Sequence, residues 1–212
     1  VNTLPPGYYK QFAMNANGTP SVAKVIQVFN APAPPVNPGG SGLTGNYFNN
    51  KDFTAPVFNR VDQVINFNWG TGSPSSSMGN DTYSVRWEGS VVAPYTGTYN
   101  FLSETDDGVR LWVDGQLLID KWIPQGPTEW SGSISLVAGQ QTSIKMEYYE
   151  EGGGAVARLR WAGPNTARQI IPKDYLLPLG AVYTPQRPAA NFTATPTSGT
   201  QPLAVAFDAS TS

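Results

Sequence analysis

From residue 43 to residue 161 apolar side chains recur at every second position in short runs, and turn-forming residues cut each run off before a helical period can develop. The runs are 43–48, 64–69, 83–92, 97–105, 109–113, 116–121, 132–136, 141–149 and 155–161. Such strands bury one face each, so they must pair and pack as a sandwich or a barrel. Composition supports the same class. The chain holds 22 glycines and 19 prolines against 13% charged residues, a turn-rich all-β profile with very little helix. Asp114-Gly115 is the clearest hairpin turn, joining 109–113 to 116–119. The serine-rich stretch 70–79 has no period of its own and reads as a mobile connection or a functional loop.

Proline and glycine also mark the boundaries. Residues 31–42 begin as a stiff proline spacer and end as a glycine hinge, and 179–189 again lack a clear period. The interval 43–178 has the size of a domain. Before it, residues 1–30 read as two strands around the Asn17-Gly18 turn. After it, 190–212 alternate like two strands and stop, too short to fold alone. Because the chain opens in mid-pattern at Val1-Asn2-Thr3, it is read as a piece of a longer protein.

Several chemistries are excluded by what is missing. With no cysteine and no histidine the chain has no disulfide, no thiolate or imidazole metal site, and no triad that uses histidine as base. Oxygen ligands remain, and these suit calcium. The formal charge of -2 argues against nucleic acid as a partner, and no apolar run is long enough for membrane insertion.

The stretch Glu104-Thr105-Asp106-Asp107-Gly108 puts adjacent carboxylates directly before the strand 109–113. Neighbouring side chains on an extended strand face opposite ways, so these two converge only if the backbone between them is bent or unusual. The competing reading is an ordinary solvated turn.

Five ordered words carry a family resemblance: Gly45-Asn46-Tyr47-Phe48, Tyr83-Ser84-Val85-Arg86-Trp87-Glu88-Gly89, Gly97-Thr98-Tyr99-Asn100-Phe101, Asp106 to Gly115, and Tyr148-Tyr149-Glu150-Glu151-Gly152-Gly153-Gly154-Ala155 with Leu159-Arg160-Trp161. Together they resemble the protective-antigen-type domain of anthrax protective antigen, some bacterial glucosidases and the yeast flocculin adhesins. The resemblance implies an antiparallel β-sandwich over 43–178. In the lectin members it implies calcium held by adjacent aspartates joined through a cis peptide, here Asp106 and Asp107. Calcium takes about 6 to 8 oxygens, so a second loop must contribute. Glu150, Glu151, Gly152 and Gly153 are the candidates, since glycines free their carbonyls to turn toward an ion. Here the chain departs from the adhesins, which carry an asparagine and a distinctive loop at this point. If a glutamate closes the site, the ion is only structural.

The flanks resemble other modules. Pro5-Pro6-Gly7-Tyr8-Tyr9 and Gly18-Thr19-Pro20-Ser21 resemble the last hairpin of the immunoglobulin-like domain that ends galactose-oxidase-like proteins, and 190–212 resemble the start of a PKD domain.

The expected function is a calcium-dependent carbohydrate-binding module, secreted or at the cell surface, monomeric within a larger chain, holding its parent protein to a glycan or polysaccharide. The alternative is a structural spacer or protein-interaction domain in which calcium only stiffens a loop. Most of the six tryptophans are assigned to the core. Trp112 should point away from Leu111 and Val113, and Trp122 and Trp130 flank a loop, so these three, with Glu151 and Gly154, are the candidate sugar contacts. No catalytic residue is expected. Glycosidase carboxylates stand roughly 5 to 9.5 Å apart, whereas two aspartates on one ion are too close to divide acid and base roles.

Overall fold

The alternation in sequence becomes alternation in burial. Val109, Leu111 and Val113 are fully buried, while Arg110 and Trp112 between them are half-buried on the opposite face of the strand. The computed structural model describes residues 7–11, 14, 16–20, 24–28, 35–185, 193–195 and 206–208. In chain order the strands are β1 (Gly7–Gln11), β2 (Lys24–Val28), β3 (Leu43–Phe48), β4 (Pro56–Asp62), β5 (Asn66–Gly70), β6 (Tyr83–Val92), β7 (Gly97–Asp106), β8 (Gly108–Val113), β9 (Gln116–Lys121), β10 (Thr128–Leu136), β11 (Gln141–Glu150), β12 (Ala155–Gly163), β13 (Thr166–Ile170), β14 (Leu176–Pro178), β15 (Thr193–Thr195) and β16 (Ala206–Asp208). Among the described residues a single 3-10 turn, Lys173–Tyr175, precedes β14. Among the described residues no helix is long and apolar enough to cross a membrane.

The chain divides into two units, Pro35–Pro185 and the flanks Val1–Pro34 with Gln186–Ser212. In the flanks β1 pairs antiparallel with β2, and β15 with β16. The remainder of both flanking resemblances lies outside the described residues. In Pro35–Pro185 two antiparallel sheets form a β-sandwich. One has seven strands, β4-β3-β6-β11-β8-β9 with β14 also on β6; the other has five, β10-β7-β12-β13 with β5 also on β12.

Aromatic rings fill the space between the sheets. Trp87 and Tyr148 of the larger sheet pack at 6.4 Å, and Phe67 of the smaller sheet stacks on Trp87 at 5.9 Å. Tyr99 and Trp161 meet at 5.2 Å on the smaller sheet's inner face. Within this core lies Asp62, whose Oδ2 accepts from Trp87 Nε1 at 2.7 Å and from the Tyr47 hydroxyl, while Oδ1 accepts from Arg60 Nε at 2.6 Å. A paired and hydrogen-bonded carboxylate is the form in which a buried charge is tolerated.

Strands β4, β13 and β14 are additional to the runs read from sequence. β4 and β13 are edge strands whose side chains are mostly exposed, and β14 is only three residues long, so none has a one-sided apolar pattern. The serine-rich loop is not a plain mobile connection. It inserts Met78 into the core and ties Gly79 N–H to Asn49 Oδ1 at 2.8 Å.

Two crossings between the sheets define one end of the sandwich. β7 of the smaller sheet ends at Asp106 and β8 of the larger begins at Gly108; β11 of the larger ends at Glu150 and β12 of the smaller begins at Ala155. Because Asp106 pairs with Val156 and Gly108 with Tyr149, the two crossings lie side by side.

Candidate metal centre

The strand ends bring three carboxylates together. Asp106, Asp107 and Glu150 each offer an oxygen, and these oxygens lie within 4.8 Å of one another. The Asp106-Asp107 peptide is cis, so the two aspartates do converge. All three are buried, at 8%, 5% and 0% exposure. Asp107 is held on both sides by backbone: Oδ1 accepts from Gln125 N–H and Oδ2 from Glu151 N–H, each at 2.8 Å. The Tyr148 hydroxyl sits between the strands, 2.6 Å from the Asp106 carbonyl and 3.2 Å from Glu150 Oε2.

Two of the three carboxyls are held above their ordinary range. Burial, then the Asp107 charge, pushes Glu150 up to about 7, with the Tyr148 hydrogen bond opposing the rise. Asp106 is also raised, first by burial and then by Asp107. Among the described residues Glu150 Oε1 is buried with no hydrogen-bond partner. An orphaned buried carboxylate oxygen beside two aspartates is a donor set suited to a hard cation that takes oxygen ligands, so the residues fit calcium.

The other predicted residues fall in different places. Glu151 contributes only its N–H to Asp107; its carboxylate pairs with Lys51 at the surface. Gly152 and Gly153 continue the crossing. An ideal Cβ on Gly152 would be 4.0 Å from Asp81 Oδ1, and Gly153 has φ 98°, a left-handed conformation that favours glycine. Gly154 lies against the cluster itself, since a Cβ there would stand 2.9 Å from Asp106 Oδ2.

The three tryptophans do not form one group with the carboxylates. Trp112 points outward as expected, but it lies toward the far end of β8 with Lys145 Nζ 3.9 Å from its ring centroid. Trp122 packs edge-on against Tyr149 at 4.6 Å with Arg110 Cζ 4.1 Å from its ring, and Trp130 has Lys121 Nζ at 4.3 Å. Each ring already has a cation on it. Sequence reasoning passed over Gln125 and Tyr148. Tyr148 belongs to the alternation of β11 and is indistinguishable in sequence from any core tyrosine, while Gln125 is a polar residue in a Pro/Gly loop that carries no signal of its own.

The PA14 domain family model matches residues 39–175. Anti-sigma-I factor RsgI3 of Acetivibrio thermocellus is 53% identical over 142 residues, which are 67% of this chain and 22% of that protein. The chain thus spans about a fifth of that curated relative. A solved structure of an anti-sigma factor domain-containing protein is 49% identical with a TM-score of 0.66, over 73% of this chain and 54% of that one. The PA14 sugar-binding domain from an RTX adhesin has a TM-score of 0.55 at 18% identity, over 65% of this chain and 98% of that one, a likeness of fold alone. These similarities correct the expectation of a calcium-dependent carbohydrate-binding module: the relatives at 49% and 53% identity are anti-sigma factor proteins, and the sugar-binding domain shares only the sandwich. The chain belongs to the PA14 domain family.

Proposed function

We propose that this domain is a non-catalytic spacer or protein-interaction module of an anti-sigma-factor-type protein, in which a calcium ion on Asp106, Asp107 and Glu150 stiffens the loops at one end of the sandwich. The observation that carries this reading is Glu150, fully buried with Oε1 unpartnered beside two buried aspartates. A cation there offsets the mutual repulsion of the carboxylates and links the two inter-sheet crossings. Enclosure of all three carboxylates favours an ion that holds loops over one that presents itself to a ligand. The 53% identity to RsgI3 supports the anti-sigma-factor setting. A secreted or cell-surface location belongs to the same proposal, because extracellular calcium is abundant enough to load a site of modest affinity.

Thermal unfolding with calcium chloride and with chelator tests the reading. Calcium should raise the melting temperature of the wild-type chain, and Asp106→Asn with Asp107→Asn should remove the gain. An identical melting temperature in calcium and chelator for the wild type would refute the calcium role.

A further inference from the structure

We propose that Gln125 is a positioning residue that couples the cation to the β9–β10 loop, so that the loop between Trp122 and Trp130 takes its bound arrangement only when the ion is in place. The inference rests on the calcium reading above and extends it to a loop outside the carboxylate cluster.

Residues 122–127 join β9 to β10, and Ile123, Pro124, Gly126 and Pro127 are exposed. Gln125 is half-buried and turns inward with its N–H and both side-chain polar atoms engaged. Its N–H donates to Asp107 Oδ1 at 2.8 Å. Its Nε2 donates to the Asp107 carbonyl at 3.2 Å and reaches Thr105 Oγ1 at 3.4 Å. Its Oε1 accepts from Trp130 Nε1 at 3.0 Å. One side chain therefore touches the backbone of a cluster aspartate, the end of β7 at Thr105 and the indole N–H of a tryptophan on the neighbouring strand. Thr105 lies directly across from Thr128 in the β7–β10 register, so Gln125 also spans the point where the loop rejoins the sheet.

The chemistry runs in both directions. Groups that hydrogen-bond a ligating carboxylate fix its orientation; here the Gln125 and Glu151 N–H groups hold the Asp107 carboxylate, and the Gln125 side chain holds the Asp107 carbonyl and so the backbone from which that carboxylate projects. Conversely, a cation that draws Asp107 toward Asp106 and Glu150 fixes the acceptor on which Gln125 hangs. Without the cation, the mutual repulsion of the three carboxylates opposes the two N–H bonds that hold Asp107 and loosens the loop at Gln125. Trp130 reports the result, because its indole N–H is bonded to Gln125 Oε1 and loss of that bond changes the surroundings of a partly buried ring.

The test is titration of calcium chloride, followed by calorimetry and by tryptophan emission, into the wild-type chain, Gln125→Ala and Gln125→Met; Met keeps the length and bulk of the side chain but neither donates nor accepts. Trp130→Phe identifies the part of the emission that comes from Trp130. In the wild type the Trp130 emission change should track calcium binding. Both Gln125 variants keep the N–H that donates to Asp107 Oδ1 and lose the side-chain bonds to the Asp107 carbonyl and Trp130. Calcium should therefore bind more weakly by less than the roughly tenfold expected for losing a carboxylate partner, and the Trp130 change should be lost. A merely structural glutamine would lower the melting temperature equally in calcium and in chelator, whereas a coupling residue lowers the calcium-dependent part. Equal calcium affinity and an unchanged Trp130 response in the variants would overturn the inference while leaving the calcium site intact. No calcium binding by the wild type would remove both together.

Discussion

Glu151 meets Asp107 through its backbone: its N–H donates to Asp107 Oδ2 at 2.8 Å, while its carboxylate turns outward to Lys51. The adjacent Glu150 does the opposite and buries its carboxylate among the aspartates. Two neighbouring glutamates thus have different consequences for a cation. Glu150→Gln should abolish the calcium-dependent gain in stability, which is about 2.7 kcal/mol at a calcium concentration roughly 100 times the dissociation constant. Glu151→Gln should retain it, since the substitution leaves the N–H in place. Urea unfolding of both variants, with calcium and with chelator, distinguishes them; equal losses would mean that both side chains ligate.

Asp62 is a buried carboxylate outside the cluster, with a structural role. Tyr47, Trp87 and Arg60 all donate to it, and a Cβ on Gly45 would stand 2.5 Å from its Oδ2. Asp62→Ala leaves the indole N–H and the hydroxyl without acceptors and Arg60 without its counterion, which should cost about 3 to 5 kcal/mol. Gly45→Ala acts on the same point by displacement and should cost about 1 to 3 kcal/mol. Urea midpoints at neutral pH measure both. If Asp62→Ala proves as stable as the wild type, the network contributes nothing.

The sandwich was legible in the sequence because one buried face per strand imposes a period of two, and the inner faces of β8 and β11 obey it closely. The convergence of Asp106 and Asp107 was available only through the family words, since extended backbone sends adjacent side chains apart. Which glutamate entered the cluster was not legible at all. Glu150 and Glu151 are chemically identical, and the choice depends on where β11 ends relative to Asp106 across two sheets. Trp122 and Trp130 were read as site residues because they flank a loop, but sequence does not reveal that Arg110 and Lys121 lie over their rings. Gln125 was missed for a similar reason, because its partners Asp107 and Thr105 are 18 and 20 residues away in sequence.

Gly108 sets the spacing behind the carboxylate cluster. A Cβ there would be 2.2 Å from Tyr149 Cε1, and Tyr149 is itself packed against Trp122 at 4.6 Å. Gly108→Ala should therefore displace the ring and destabilise the chain by about 1 to 3 kcal/mol. The loss should shrink when Tyr149→Ala is added, because the obstacle is then gone. A double-mutant cycle on urea unfolding measures the coupling, and additive losses would show that the ring is not what Gly108 accommodates.

The outer face of the smaller sheet carries an ion-pair network whose stabilisation is lost in acid. Glu104 takes Arg158 Nη1 on Oε1 at 2.7 Å and Arg160 Nη2 on Oε2 at 2.8 Å; Arg160 also reaches Glu129, which pairs with Arg168. Burial pushes the Glu104 carboxyl up, but the hydrogen bonds and charges of Arg160 and Arg158 outweigh it and hold the group below its ordinary 4.5. Above that value Glu104 is charged in both the folded and the unfolded chain, and its contribution to stability is fully present. As the pH falls below 4.5 the unfolded chain takes up the proton first, so the contribution declines until the pH has passed the folded value. Glu104→Gln should cost about 1 kcal/mol at neutral pH, a modest loss because the network is partly exposed and screened by salt. The gap between wild type and variant in urea midpoint should then close as the pH is lowered through 4.5. A gap that stays constant down to the acid limit would assign the loss to packing of the side chain and not to its charge.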